Sequence, residues 1–125
     1  MQGILIVEDD AELREMLKTV LVRRKFTVLE AANGKEAITH FKPFVTDVVI
    51  TDIIMPEEDG LGVIRTLKAL KPELKIIAMS GGGKAGPRHY LELAKALGAN
   101  ATITKPFLIG NLISIVENLF DAETI

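Results

Sequence analysis

Ile4-Leu5-Ile6-Val7-Glu8-Asp9-Asp10 is an unbroken aliphatic run that ends on three consecutive acids. Four apolar residues without alternation are what a strand buried on both faces requires. The residues that follow change period. Leu13, Met16, Leu17, Val20 and Leu21 recur at i, i+3, i+4, i+7 and i+8, which predicts a helix with that stripe in the core. Arg14, Glu15, Lys18 and Arg24 fall on the opposite face, where water would solvate them. The same pairing of short run and longer amphipathic stretch recurs along the chain. Further runs cover 26–29, 47–51, 75–79 and 101–104, and helical patterns cover roughly 34–41, 61–70, 87–97 and 109–120. Asn33-Gly34, Lys71-Pro72 and Leu97-Gly98-Ala99-Asn100 are turn or helix-end signals, and Pro87 suits a first helical position. Strict alternation of strands and helices predicts an α/β fold: a parallel sheet, right-handed crossovers and helices on both faces.

Composition narrows the function classes. The 125 residues are the length of one domain, and 48% hydrophobic residues supply a core that needs no staples. We expect a single domain over residues 1–125, without linker, internal repeat or low-complexity segment. Lys and Arg number 15 against 17 Asp and Glu, a formal net charge of −2. No direct nucleic-acid partner and no membrane partner is therefore expected to bind through bulk charge. Cysteine is absent, which excludes disulfides, thiolate metal sites and thiol nucleophiles. His40 and His89 are the only histidines, too few for a His-rich metal site. No stretch has the length or flanking charge of a signal peptide or a membrane span, and the expected location is cytoplasmic.

Open parallel sheets bind ligands outside the carboxyl ends of their strands. Those ends carry Glu8-Asp9-Asp10 after the first run, Thr51-Asp52 after the third, Met79-Ser80 after the fourth and Thr104-Lys105-Pro106 after the fifth. One of Asp9 and Asp10 suffices to cap the first helix. Capping does not account for three acids in a row together with Asp52. Two carboxylates ~5 Å apart repel by about 3 kcal/mol at an effective dielectric of about 20, so the cluster costs stability unless cations offset it. Lys105 supplies one positive charge. A hard divalent cation held by oxygen ligands would supply the rest, and Mg2+ is the natural choice. A carboxylate beside such an ion can attack phosphorus and form an aspartyl phosphate. The metal and the lysine neutralise the phosphoryl oxygens, and the Ser80 hydroxyl donates to one of them. Gly81 would leave room for the phosphoryl group to approach.

Four blocks, in order and at strand ends, carry a family resemblance. They are Ile4-Leu5-Ile6-Val7-Glu8-Asp9-Asp10 with Leu13-Arg14, Val49-Ile50-Thr51-Asp52-Ile53-Ile54-Met55-Pro56 with Asp59-Gly60, then Ser80, then Thr104-Lys105-Pro106-Phe107. From Ile4 to about Phe120 the chain resembles a response-regulator receiver domain of bacterial two-component signalling, of the stand-alone, chemotaxis-regulator-like kind. The resemblance implies a flavodoxin-like, doubly wound (βα)5 three-layer sandwich with strand order 2-1-3-4-5. It implies that Asp52 is the phosphoacceptor and a metal ligand. Asp9 would bind Mg2+ directly, Glu8 through water, and Ile54 through its backbone carbonyl. Ser80 follows the phosphoryl group, Lys105 contacts it, and the Lys105-Pro106 bond is cis. Asp10 falls outside the matched acidic pair and is assigned to capping.

The implied function is a phosphorylation-dependent switch. A sensor histidine kinase or histidine phosphotransfer protein presents a phosphohistidine, and Asp52 accepts the phosphoryl group. Output passes through a downstream target protein that reads the face of the fourth helix, fifth strand and fifth helix. The protein would be a monomer, or a weak phosphorylation-dependent dimer through that face. It would not be an enzyme toward external substrates, catalysing only its own phosphorylation and dephosphorylation. The runner-up is a receiver-fold adaptor, never phosphorylated, that works only by protein–protein binding. Adaptors of that kind lose the acidic pair, the acceptor or the lysine, and this chain keeps all three.

Three departures qualify the resemblance. Thr102 stands where the family often has an aromatic residue on the fifth strand, so phosphorylation is reported through backbone and helix shifts. Ile54 and Gly82 stand at the two positions that, by the resemblance, would flank the hydrolytic water, and neither side chain could orient it. The loop from Ser80 to Pro87 is long and glycine-rich. Its Gly81, Gly83 and Gly86 fit the spacing of a dinucleotide fingerprint, but about twenty residues on lie Thr104-Lys105-Pro106 and no acid for a ribose. Ala85 after Lys84 excludes a P-loop. The glycines are read as supplying a mobile loop.

Overall fold

The computed structural model describes residues 2–53, 60–81 and 87–123, and strands alternate with helices throughout. The strands are β1 (Gly3–Val7), β2 (Thr27–Ala31), β3 (Val48–Asp52), β4 (Lys75–Ser80) and β5 (Ala101–Thr104). The helices are α1 (Ala11–Arg23), α2 (Gly34–His40), α3 (Gly60–Leu70), α4 (Pro87–Ala96) and α5 (Ile109–Glu123). All neighbouring strands pair in parallel, in the order β2-β1-β3-β4-β5. This is the flavodoxin-like arrangement that the resemblance implies.

Successive strand residues face opposite sides, so each strand feeds two cores. Leu5, Val49, Ile76 and Ala78 pack with Val63, Ile64 and Leu67 of α3 and with Leu91 and Ala94 of α4. Ile4, Ile6, Ile50 and Ile77 pack with Leu17 and Leu21 of α1 and with Leu112 and Val116 of α5. Burying each such aliphatic side chain stabilises the fold by about 1.5–3 kcal/mol. The middles of the three central strands are therefore apolar on both faces, with Thr51, Asp52 and Ser80 only at the carboxyl ends, and the continuous runs follow from that.

The edges depart from expectation. Thr27 is exposed and Val28, Leu29 and Glu30 are half-buried, while no residue of β5 is fully buried. An edge strand has a neighbour on one side only, and the helix layers do not reach fully over it. β2 also begins one residue later than the run suggests. Lys25 adopts φ 75°, which turns the chain, and Phe26 stacks on Phe120 with ring centroids 5.2 Å apart. Asp47 precedes β3; its carboxylate accepts a hydrogen bond from the Gly3 N–H at 3.0 Å.

Two helix-start readings hold. The Asp10 side chain caps α1 by accepting from the N–H groups of Glu12 and Leu13, and Pro87 is the first residue of α4. The Met16 reading fails: it is 45% exposed, because Leu17 and Leu21 cover the sheet and Met16 stands beyond it. Ile54 and the glycine run at 82–86 lie outside the described residues. Among the described residues, no helix is long and apolar enough to cross a membrane.

Candidate functional site

Strand register brings the acids together. Val7 of β1 lies opposite Thr51 of β3, so the next residues along, Glu8 and Asp52, emerge side by side at the carboxyl edge. Carboxylate oxygens of Glu8, Asp9 and Asp52 all lie within 4.8 Å of one another. Glu8 is fully buried, Asp52 is nearly so, and Asp9 is exposed. On the far side, Ser80 at the end of β4 pairs with Thr104 of β5, which delivers Lys105 to the same edge. The Lys105-Pro106 peptide is cis.

Lys105 joins the two buried carboxylates. Its Nζ donates to Glu8 Oε1 at 2.5 Å and to Asp52 Oδ2 at 2.9 Å. Burial pushes the Glu8 carboxyl above its ordinary pKa, and the hydrogen bond and charge of Lys105 pull the other way without cancelling that rise. Burial alone would lower the Lys105 ammonium. Its hydrogen bonds to Glu8 and Asp52, with their charge, outweigh burial and leave its pKa raised. One ammonium faces three carboxylates, so the cluster keeps an excess of negative charge and offers oxygen donors only. That is the donor set of a hard divalent cation.

The Ser80 hydroxyl is fully buried, and among the described residues its Oγ has no hydrogen-bond partner. A buried hydroxyl without a partner costs about 1–3 kcal/mol, so an acceptor arriving within its reach would be bound favourably. A cleft of about 520 Å³ opens over the site, lined by Asp52, Gly81 and Lys105 and walled by Leu13, Met16 and Phe107. Gly81 lines this cleft, and its missing side chain has a second consequence. A Cβ there would stand 2.5 Å from Lys105 Cβ, so the absent side chain makes room for the lysine stem. Thr102 sits half-buried on β5, opposite Ala78.

Two residues near the site escaped the sequence reading. Met16 forms part of the cleft wall. Arg14, expected in solvent, is half-buried, and its Nη1 donates to the Glu8 backbone carbonyl at 2.8 Å. No periodicity argument reaches Arg14, because its partners lie just past the end of β1 and on β2.

The parallel sheet and its acidic edge place the chain among the doubly wound α/β proteins that work at the carboxyl ends of their strands. Residues 4–117 match the response regulator receiver domain, and the chain belongs to that family. It is 39% identical over 105 residues to the chemotaxis protein CheY of Thermotoga maritima, covering 83% of this chain and 85% of that one. It is 35% identical over 115 residues to the chemotaxis protein CheY of Bacillus subtilis, covering 91% and 93%. A response regulator receiver domain protein from Clostridium thermocellum superimposes with a TM-score of 0.89 at 26% identity, covering 99% of this chain and 98% of that structure. Receiver domains are phosphorylation switches of two-component signalling, and the family binds Mg2+ at an acidic pocket.

Proposed function

We propose that residues 1–125 act as one receiver unit in the cytoplasm, taking a phosphoryl group from a phosphohistidine donor onto Asp52. The observation that carries this reading is the bridge of Lys105 between Glu8 and Asp52, within a cluster of three carboxylates and at the same sheet edge as the buried Ser80 hydroxyl. The donor would be a sensor histidine kinase or a histidine phosphotransfer protein. A carboxylate oxygen of Asp52 attacks phosphorus, the P–N bond to the imidazole breaks, and the imidazole leaves with that electron pair. Glu8, Asp9, Asp52 and the Ile54 carbonyl would hold Mg2+, which supplies positive charge to the phosphoryl oxygens when bound.

The chain's own residues do the remaining work. Lys105 Nζ, 2.9 Å from Asp52 Oδ2, lies within reach of a phosphoryl oxygen on that atom. Ser80 donates its unused O–H to another. Phosphorylation adds negative charge at Asp52, so Lys105 and Ser80 interact differently with the two states, which biases a two-state equilibrium. A downstream protein reads the face of α4, β5 and α5, and the chain catalyses only its own phosphorylation and dephosphorylation.

The test is transfer from a radiolabelled, phosphorylated histidine kinase domain, across a panel of kinases. Label should move to the wild-type chain in the presence of Mg2+, and neither to Asp52→Asn nor in EDTA. A wild-type chain that takes no label from any phosphohistidine donor would favour the adaptor instead.

A further inference from the structure

Arg14 has no role in the chemistry above, yet its guanidinium ties together two strands beside the acidic cluster. Nη1 donates to the Glu8 backbone carbonyl at 2.8 Å, and Nε lies 3.5 Å from Glu30 Oε1 on β2. Lys18 holds the other oxygen of Glu30 at 3.1 Å, which anchors the far end of the bridge. The Glu8 carbonyl belongs to the peptide that carries Asp9. A peptide unit is planar, so fixing its oxygen fixes the direction in which the chain leaves Glu8.

The strand no longer does this. The paired residues of β1 end at Val7, and past that point the Glu8 N–H still donates to the Ala31 carbonyl at 3.0 Å. The next restraints are the Asp10 N–H on Glu8 Oε2 at 3.1 Å and the Asp10 side chain on the first turn of α1. Between them lies the Glu8–Asp9 peptide, and Arg14 is the group that grips its oxygen.

We propose that Arg14 is a positioning residue for the cation site, orienting the Glu8–Asp9 peptide so that the two carboxylates converge on Asp52. The inference rests on the reading that these carboxylates hold Mg2+. Charge alone argues the opposite way. A guanidinium close to a cation site repels the cation, so an Arg14 that acted only through its charge would weaken Mg2+ binding, and its removal would tighten it. The two accounts differ in sign. They also differ in what lysine can replace: a guanidinium fork serves a carbonyl and a carboxylate together, whereas an ammonium on a flexible stem is a point charge.

The experiment is calorimetric titration of the full chain with Mg2+ alone, without phosphodonor, with thermal unfolding in EDTA as a control for folding. Arg14→Met should raise the Kd for Mg2+ by about ten-fold, the lower end of the range for residues that orient metal ligands. Arg14→Lys should fail to restore it although the charge is kept. Glu30→Gln, which frees the far end of the guanidinium, should weaken binding in the same direction and add little to Arg14→Met. Unchanged or tighter Mg2+ binding in Arg14→Met overturns the proposal, as does full rescue by Arg14→Lys. If Arg14→Met does not fold, Arg14→Lys decides the matter: weaker Mg2+ binding with the charge kept supports the proposal, and wild-type affinity overturns it. A wild-type chain that binds no Mg2+ would overturn the metal reading itself, and the role of Arg14 with it.

Discussion

Lys105→Met keeps the aliphatic stem that packs on Gly81 and removes the ammonium that holds Glu8 and Asp52 together. Oxygens of the two carboxylates lie within 4.8 Å, where unit charges repel by about 3.5 kcal/mol at an effective dielectric of about 20. Breaking a buried pair by removing one partner costs about 3–5 kcal/mol. The Lys105 side chain is 23% exposed, so solvent screens part of this, and a loss of about 2–3 kcal/mol is expected at pH 8 without Mg2+. For a domain of this size that is roughly 8–12 °C in Tm.

The loss should depend on pH with a defined sign. Burial raises the Glu8 carboxyl, and Lys105 opposes that rise, so the variant raises it further. A carboxyl whose folded pKa exceeds its unfolded value contributes stability that is fully present below the unfolded pKa and is lost as pH rises through the folded one. Acidification should therefore narrow the gap to wild type. The raised Lys105 ammonium acts in the wild type by the same rule, its contribution fading only above the ordinary lysine range. Mg2+ should return more stability to the variant than to the wild type, because ammonium and metal neutralise the same carboxylates. The assay is urea unfolding in EDTA from pH 5 to pH 8, followed by far-UV circular dichroism, since the chain has no tryptophan. A variant as stable as wild type at pH 8, or a loss that ignores pH, would refute the assignment of Lys105 as the cation that neutralises this cluster.

Asp9→Asn should weaken Mg2+ binding while leaving the fold intact or slightly more stable, read by Mg2+ titration and by melting without metal; unchanged affinity would remove Asp9 from the ligand set. Gly60→Ala would place a Cβ against the Ile53 backbone and 2.6 Å from the Asp52 carbonyl oxygen, so overpacking should cost about 1–3 kcal/mol in urea unfolding. Asp10→Ala removes the cap of α1 and should cost about 1 kcal/mol in urea unfolding. Ile54→Asn and Gly82→Glu should each speed the decay of the phosphorylated protein, by up to roughly ten- to thirty-fold if water positioning limits it. Decay rates that neither substitution changes would place the limit elsewhere.

The central strands were legible because burial on both faces demands a run of apolar residues, and Ile4–Val7, Val48–Ile50 and Ile76–Met79 supply one in each of β1, β3 and β4. The edge strands were less so, since a half-buried strand tolerates Thr27 and Glu30, and the run beginning at Phe26 conceals a turn at Lys25. The acids were legible as a group because strand ends locate them. Asp10 separated from Glu8 and Asp9 as the helix cap, on the matched motif and the chemistry of capping. Arg14 was not legible: helical period put it on the wet face, whereas its partners are a carbonyl on β1's end and a carboxylate on β2. Met16 failed for a related reason. A stripe at i+3 and i+4 is wider than the sheet it covers, and the residue that overhangs the carboxyl edge faces the cleft instead.

Intact mass after treatment with acetyl phosphate and Mg2+ tests the central claim most directly. The wild-type chain should gain one phosphoryl group, lost on hydroxylamine treatment as an acyl phosphate is, with the modified peptide containing Asp52. Asp52→Asn should gain nothing under the same conditions. A wild-type chain that stays unmodified, or an adduct that persists in Asp52→Asn, would contradict the account.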